Sequence, residues 1–247
     1  MTRKIRAVAR ILFILKASLV LNLILLLLPC SSLLRAKIAS FFFRIILLGC
    51  GIEIHSSKTL SKPEPNKRLL IVANHVSYLD ILIVCSLHPC VFLAKSEVAQ
   101  WPVFGWVAQA MGCVFVKRDS LMGRACALRR SLAAHKVSSI AIFPEGTTTA
   151  AAIPNTHAWT KGHAWIAQRS NIDAILCLGL AFENQEERAW TDDISLMPHL
   201  LRTLGEPRIR VNINETWTQL KTNQHTNSLA EATLQGVCIA VNHAYSR

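Results

Sequence analysis

The sequence lacks the signatures of several large enzyme classes. It contains no G-x-S-x-G segment, and no serine or cysteine lies in a setting that would obviously activate it as a nucleophile. It also contains no H-E-x-x-H motif and no Walker loop, which argues against a zinc protease and a P-loop nucleotide enzyme. If the protein is an enzyme, its general base must therefore act on a substrate hydroxyl or on water.

The chain also lacks a C-x-x-C pair, although it has eight cysteines. Several of these cysteines lie in apolar runs such as "LIVCSL" and "MGCVFV", as reduced and buried thiols usually do. We therefore predict a protein that faces the cytosol and has neither structural disulfides nor a metal site.

Acidic residues are scarce. The chain has 15 aspartates and glutamates against 27 lysines and arginines, which gives a formal net charge of +12. Such a surplus suggests a polyanionic partner, either nucleic acid or an anionic membrane surface. Because the basic residues are interleaved with the most apolar part of the chain, the pattern favours membrane lipids and predicts no nucleic-acid partner.

Residues 1–54 are predicted to form a membrane-anchoring helical region. Its first apolar segment is interrupted by Lys16 and Asn22, and the shorter second segment carries Arg44. A cleaved signal peptide has this order of charges, but no small-x-small cleavage site follows the first segment. A single transmembrane helix would place the rest of the chain outside, which conflicts with the cysteine pattern. We favour a helix pair in one leaflet, with Lys16 and Arg44 snorkelling to the surface.

The polar residues 55–68 are predicted to be a linker to a domain at 69–247. In that domain, buried strand-like runs alternate with helical periodicity, which is typical of an α/β fold with a largely parallel central sheet flanked by helices. The predicted strands are 69–73, 90–94, 113–117, 138–143, 173–182 and, less distinctly, 208–213. The predicted helices between and after them carry the segments "SYLDILIVCSL", "SLMGRACALRRSLAAH", "KGHAWIAQRS" and "SLAEATLQGVCIAVNHAY".

Polar side chains follow four of these strands at the point where each strand ends. They are His75, Lys95, the pair Lys117 and Arg118, and the segment 144–147. In parallel sheets, functional groups collect in the loops at the carboxyl ends of the strands. The sequence therefore predicts one site at this edge of the sheet.

The segment "IVANHVSYLD" places Asp80 five residues after His75. A histidine with a pKa near neutrality can take a proton from a hydroxyl, and a carboxylate on its other ring nitrogen fixes the tautomer. The alternative is purely structural, with Ser77 capping a helix and Asp80 complementing the exposed amides of its first turn. The spacing alone leaves both interpretations open.

Four blocks together resemble the glycerolipid acyltransferase family, whose best-known members are the 1-acylglycerol-3-phosphate acyltransferases. "NHVSYLD" resembles the N-H-x4-D motif, "GCVFVKR" the G-x-x-F-x-x-R block and "FPEGTTT" the F-P-E-G-T block. "WTKGHAWIA" resembles the aromatic-x-K-G segment that follows. The blocks occur in the family's order over roughly residues 70 to 180, and the N-terminal helix pair resembles the family's anchor.

The resemblance implies that His75 is the general base and Asp80 its orienting partner. The deprotonated acceptor hydroxyl would attack the thioester of acyl-CoA or acyl-carrier protein, with no acyl-enzyme and no further cofactor. Arg118 would bind the acceptor phosphate, because a guanidinium matches phosphate with two parallel bonds. The implied substrate-binding residues are Asn74, Lys95, Gly112, Phe115, Arg118, Pro144, Glu145, Gly146 and Thr147.

One departure from the family leaves the acceptor open. Many members that act on phosphate-bearing acceptors have arginine where this chain has Thr148, although a threonine variant also occurs. The first expectation is acylation of 1-acylglycerol-3-phosphate to phosphatidic acid, at a membrane and on its cytoplasmic face. The alternatives are another lyso-lipid, such as a lyso-ornithine lipid or a lysophosphoglyceride, and an inactive membrane-binding scaffold.

Overall fold

The computed structural model describes residues 2–28, 31–61, 67–172, 174–191, 193–221 and 224–246. The strands in these ranges form one seven-stranded sheet with the order β1-β7-β6-β2-β5-β3-β4. Their bounds are β1 Ile52–His55, β2 Leu70–Ala73, β3 Cys90–Lys95, β4 Val114–Val116, β5 Ser139–Ile142, β6 Ala174–Phe182 and β7 Ile209–Gln219.

Five neighbouring strands, from β6 across β2, β5 and β3 to β4, run parallel to one another. The central strands β2 and β5 are buried along their whole length, since helices cover both faces of the sheet. The prediction of a largely parallel sheet flanked by helices is therefore confirmed. Strand β7 is longer than predicted and pairs antiparallel with β6. The first residue of the predicted strand 173–182 lies outside the described residues.

The sheet also contains a strand that the sequence did not reveal. Strand β1 pairs in parallel with β7, with Ile52 opposite Ile209 and Glu53 opposite Arg210. It lies across the predicted boundary between the anchor region 1–54 and the linker 55–68, so the sheet begins before residue 69. Its four residues gave no clear periodicity, and its partner strand is more than 150 residues away in the chain.

The described α-helices are α1 Arg3–Leu27, α2 Ser32–Gly49, α3 Leu79–Leu87, α4 Phe104–Met111, α5 Leu121–His135, α6 Gly162–Arg169, α7 Gln185–Arg188, α8 Leu196–Leu204 and α9 Thr226–Tyr245. Short 3-10 turns cover Ser96–Gln100 and Thr156–Ala158. Helices α3, α5, α6 and α9 lie where the sequence predicted them. Helices α4, α7 and α8 were not predicted.

Helix α1 has two faces of different character. The inner face is buried at Ala7, Ile14, Ser18, Leu21 and Leu25, which recur every three, four or seven residues as a helical face requires. The outer face exposes further large apolar side chains from Ile5 to Leu28. Of the described helices, α1 alone is long and apolar enough to cross a membrane. An apolar outer face fits the predicted anchor, whether the helix spans the bilayer or lies in one leaflet.

The arginines of α1 bind the carboxyl end of α8. Arg6 donates from Nη1 to the Gly205 carbonyl at 2.7 Å, and Arg10 donates to the Leu204 carbonyl at 3.0 Å. The last carbonyls of a helix have no partner within it and carry a partial negative charge, so a guanidinium there is stabilising. These contacts hold the amino end of α1 against the domain at 69–247.

Helix α2 makes the same kind of contact with two further helices. Arg35 donates to the Ala110 carbonyl of α4 at 2.8 Å, and Arg44 donates from Nε to the Ser86 carbonyl of α3 at 2.7 Å. The Ser40 hydroxyl donates to the same carbonyl at 3.1 Å. Arg44 is thus directed at the end of a domain helix, which differs from the predicted snorkelling to the membrane surface.

We expect Arg44→Met to lower the free energy of unfolding in detergent by about 1–2 kcal/mol, because the Ser86 carbonyl loses its charged donor. Lys16→Met is the matched control, since Lys16 is a basic residue at an exposed position of an apolar helix. That change should stay within about 0.5 kcal/mol. Denaturant unfolding followed by circular dichroism measures both. Equal losses for the two variants would contradict the role of Arg44.

Candidate active site

The predicted site forms at one edge of the sheet. Strands β2, β5, β3 and β4 are parallel neighbours, so their carboxyl ends lie side by side. The loops after β2, β5 and β4 meet there. These loops bring together His75, Asp80, Glu145, Gly146 and Arg118 through direct contacts.

His75 and Asp80 form a hydrogen-bonded pair. The distance from His75 Nδ1 to Asp80 Oδ2 is 2.8 Å. The Asp80 side chain is fully buried, whereas 16% of the His75 side chain is exposed. With an ionised carboxylate at Nδ1, the ring carries its proton on that nitrogen, so Nε2 has the free lone pair. The geometry therefore suits a general base that acts through Nε2.

Asp80 also serves the start of helix α3. Its Oδ2 accepts the amides of Val76 at 2.6 Å and Ser77 at 2.8 Å, in addition to the histidine ring. The Ser77 hydroxyl makes only a 3.5 Å contact, with the Leu79 amide. The two sequence interpretations of this segment are thus compatible, because one carboxylate oxygen orients the ring and complements the exposed amides.

Glu145 stabilises the loop that contains His75. Its Oε2 accepts the backbone amide of His75 and its Oε1 accepts that of Asn155, both at 2.9 Å. Burial raises the pKa of the Glu145 carboxyl, and the two amide bonds oppose this rise. The Thr149 amide donates to the His75 carbonyl at 2.9 Å, and the Phe143 ring stacks on the imidazole with 4.3 Å between centroids. The loops after β2 and β5 therefore form one unit.

Gly146 links this unit to Arg118. The Arg118 guanidinium donates to the Gly146 carbonyl, and its side chain is exposed at the rim of the site. Gly146 has a φ of 72°, which L side chains rarely adopt, whereas an added Cβ would lie 3.8 Å from Arg118 Nη1. Glycine is therefore required by the backbone conformation, and space is not the constraint.

Three other predicted binding residues flank the site. Asn74 is buried, and its amide joins β2 to β6 by accepting the Leu180 amide at 2.8 Å and donating to the Leu180 carbonyl at 2.9 Å. Lys95 ends β3 and forms an exposed ion pair with Glu97 at 3.0 Å. Pro144 is buried, with its carbonyl accepting from the Thr160 amide at 3.0 Å. Asn74 and Pro144 therefore shape the loops from within.

The remaining three predicted residues lie in different places. Thr147 is exposed in the loop after β5. Gly112 has a φ of 84° and ends α4, so it precedes β4 at the opposite edge of the sheet from His75. Phe115 lies in the middle of β4 and packs against the hydrophobic core. The G-x-x-F-x-x-R block crosses the sheet, so only its arginine reaches the edge that carries His75.

Sequence reasoning missed one residue at this edge, Trp190. Its amide donates to the Val76 carbonyl at 3.1 Å, and its own carbonyl accepts the Thr148 hydroxyl. Trp190 lies beyond the four motif blocks, and both contacts use its main chain. Neither composition nor periodicity could therefore have indicated it.

An apolar cavity of about 140 Å³ lies beneath α1, beside the histidine loop. Its walls come from helices α1, α2, α3, α4 and α8 and from β3, and they include Ile14, Phe43, Tyr78, Phe92, Trp101 and Leu200. The lining is almost entirely hydrocarbon, so the cavity suits an alkyl chain. Among the described residues, no group of three histidine, cysteine or acidic side chains is arranged to hold a metal ion.

Comparisons with known proteins identify a family and several similar proteins. A family model described as Acyltransferase matches residues 51–187. A lyso-ornithine lipid O-acyltransferase of Rhizobium meliloti (strain 1021) is 29% identical over 195 residues, which are 68% of this chain and 61% of that protein. A 1-acyl-sn-glycerol-3-phosphate acyltransferase of Neisseria gonorrhoeae is 38% identical over 86 residues, which are 35% of this chain and 32% of that protein. The chain therefore spans less than two thirds of each of these two relatives.

Among solved structures, the 1-acyl-sn-glycerophosphate (LPA) acyltransferase of Thermotoga maritima matches with a TM-score of 0.62. The match covers 86% of this chain and 80% of that chain at 17% identity, so it supports the fold alone. Fold and site together define an α/β protein with a histidine–carboxylate pair at the carboxyl edge of a parallel sheet. With the family match over more than half of its length, the chain belongs to the acyltransferase family, as the motif blocks predicted.

We expect His75→Ala to reduce acyl transfer by about 10²–10⁴-fold, the range typical of losing a general base. Folding and membrane association should persist, since the Asp80 carboxylate keeps its two backbone amides. His243→Ala, which removes an exposed imidazole at the carboxyl end of α9, is the matched control and should retain full activity. Near-normal turnover in a folded His75→Ala protein would contradict the assignment of the base.

Proposed function

We propose that the protein transfers an acyl chain from acyl-CoA or acyl-carrier protein to the free hydroxyl of a lyso-lipid. The observation that carries the proposal is the 2.8 Å bond between His75 Nδ1 and the buried Asp80 carboxylate, which leaves Nε2 basic at the mouth of the site. Such a pair acts directly on a substrate hydroxyl. This agrees with a sequence in which no activated serine or cysteine nucleophile was found.

The reaction proceeds by two proton transfers and one displacement of a thiolate. His75 Nε2 takes the hydroxyl proton of the acceptor while the oxygen attacks the thioester carbonyl. The carbon–sulfur bond then breaks, and the imidazolium returns the proton to the leaving thiolate. The Asp80 carboxylate stabilises the positive charge that the ring carries between these two events, as an orienting carboxylate does in other histidine-dependent enzymes.

The apolar cavity supports a substrate that carries a long hydrocarbon chain. Tyr78, which follows the histidine by three residues, belongs to the cavity wall and lies in the same loop as the base. An acyl chain in this cavity would contact Tyr78, which is three residues from His75 in the same loop. Burial of each methylene group contributes about 0.8 kcal/mol, so a chain of several carbons would bind firmly without any polar contact.

For the acceptor, we propose an amino-acid lyso-lipid of the lyso-ornithine type. Ornithine joined to an acyl chain through one amine keeps one carboxylate and one ammonium group, whereas a phosphate monoester carries a charge of about −1.5 to −2. The site has Arg118 at its rim, and a threonine at position 148 means that no second guanidinium comes from that position. One guanidinium can pair with a carboxylate through two parallel bonds. The similarity to the Rhizobium lyso-ornithine enzyme over 195 residues also supports this acceptor.

A second candidate acceptor is 1-acylglycerol-3-phosphate, which would give phosphatidic acid. It is favoured by the similarity to the Neisseria enzyme, which extends over fewer residues than the similarity to the Rhizobium enzyme but has a higher identity, 38% over 86 residues. Arg118 would bind its phosphate as readily as a carboxylate, and Lys95 lies at the end of the neighbouring strand. The two candidates differ in headgroup charge, so a direct comparison of acceptors separates them.

We expect membranes that contain the protein to acylate lyso-ornithine lipid faster than 1-acylglycerol-3-phosphate when given a labelled acyl donor. Arg118→Ala should raise the acceptor KM by roughly 10- to 100-fold, because a charge-assisted contact of about 1.5–3 kcal/mol is lost. The donor KM should change little, and Arg118→Lys should recover part of the loss.

Other outcomes of this assay would exclude parts of the proposal. Faster transfer to 1-acylglycerol-3-phosphate would select the second candidate. An unchanged acceptor KM in Arg118→Ala would show that Arg118 does not bind the acceptor headgroup. Transfer to no lyso-lipid at all would leave the inactive membrane scaffold as the remaining explanation.

We propose that the catalytic domain faces the cytoplasm, where acyl thioester donors occur. Cys126 is exposed on α5, whereas Cys177 is buried in β6, so Cys126 is the better reporter of topology. An impermeant thiol reagent should label Cys126 only after cells are lysed, and Cys126→Ser should remove that signal. Labelling of Cys126 in intact cells would contradict this orientation.

A further inference from the structure

We propose that Trp190 is a positioning residue for acyl transfer, held in place by Thr148. The inference rests on the proposed function and adds a residue that lies outside the matched family segment 51–187. Trp190 follows α7 and lies between the two loops that carry His75 and Glu145. Its main chain is bonded to both loops.

The hydrogen bond from the Trp190 amide connects this residue, through Val76, to the Asp80 carboxylate. The Trp190 amide donates to the Val76 carbonyl at 3.1 Å, and the Val76 amide donates to Asp80 Oδ2 at 2.6 Å. Val76 also follows His75 directly in the chain. A single residue therefore connects Trp190 to both members of the pair, so a shift of Trp190 displaces the backbone that sets their geometry.

The hydrogen bond to the Trp190 carbonyl connects this residue to the loop after β5. The Thr148 hydroxyl donates to the Trp190 carbonyl, and the next residue, Thr149, donates its amide to the His75 carbonyl at 2.9 Å. Thr148 is also only three residues from Glu145, which holds the His75 amide. Trp190 thus closes a ring of contacts around His75 that involves the loops after β2 and β5.

The indole ring fixes Trp190 from the other side. It lies edge-on to Tyr78, with 5.9 Å between centroids, and to Trp101, with 6.1 Å. Its Nε1 donates to the Ile194 carbonyl at 2.8 Å. Tyr78 and Trp101 both line the apolar cavity. The Trp190 side chain therefore packs against two residues that line the cavity proposed to hold the acyl chain. This packing fixes the position of the Trp190 main chain.

This arrangement assigns Thr148 a different role from an acceptor ligand. A hydroxyl has one hydrogen, and in Thr148 that hydrogen is directed at the Trp190 carbonyl. If Thr148 acts through Trp190, losing its hydroxyl loosens the reacting geometry and lowers kcat. If Thr148 instead binds the acceptor, the same change raises the acceptor KM. The two roles give different kinetic signatures.

The test compares Thr148→Val, which removes the hydroxyl at constant shape, with Thr148→Ser, which keeps it. We expect Thr148→Val to lower kcat roughly 10- to 100-fold, the loss expected when reacting groups are misplaced by about 1 Å. Both KM values should stay within about twofold, and Thr148→Ser should approach wild type. Thr226→Val is the matched control, because it removes a hydroxyl bonded to Gln168 at the start of α9 and should keep full activity.

Hydrogen exchange gives a readout that does not depend on turnover. The peptide that contains Trp190 should exchange faster in Thr148→Val than in wild type or Thr148→Ser, with an unchanged melting temperature. A higher acceptor KM at constant kcat, or equal kcat values in wild type and Thr148→Val, would overturn the inference. So would a Thr148→Ser variant as slow as Thr148→Val. A wild-type protein that acylates no lyso-lipid would instead refute the proposed function, and the positioning role would fall with it.

Discussion

One carboxylate oxygen, Asp80 Oδ2, organises the candidate site. Asp80 Oδ2 accepts the His75 ring and the amides of Val76 and Ser77, all from a fully buried position. Removing an ionised group from water is costly unless several donors compensate it, and here three donors converge on one atom. The same contacts begin helix α3 and fix the imidazole, so local folding and the orientation of the base have a common cause.

The surrounding loops are arranged to keep this geometry. Glu145 uses both of its oxygens on backbone amides, and Asn74 uses its amide to tie β2 to β6. Both side chains are buried and are engaged with the protein's own main chain. The edge of the sheet therefore has an inner layer of polar residues that hold the loops and an exposed guanidinium, Arg118, at the rim.

The N-terminal helices form part of the same structure. Arginines of α1 and α2 bind the carboxyl ends of α8, α4 and α3, where the last helix carbonyls have no partner within their own helix. Helix α1 also roofs the apolar cavity, whose wall reaches Tyr78 in the histidine loop. Its outer face remains apolar. A segment that fits a membrane anchor by composition is thus also a wall of the apolar cavity.

The sequence predicted the parallel sheet, the strand ends that carry polar residues and the family, because buried strands and contiguous motif blocks leave local patterns. It could not determine strand β1, whose four residues depend on pairing with β7 from the far end of the chain. The motif block grouped Gly112 with Arg118 as binding residues, whereas the fold places them at opposite edges of the sheet, before and after β4. The contacts of Trp190 were hidden for a different reason. They are made by backbone groups, which every residue has, so they could be recognised only once the folded chain placed Trp190 between the two loops that hold His75.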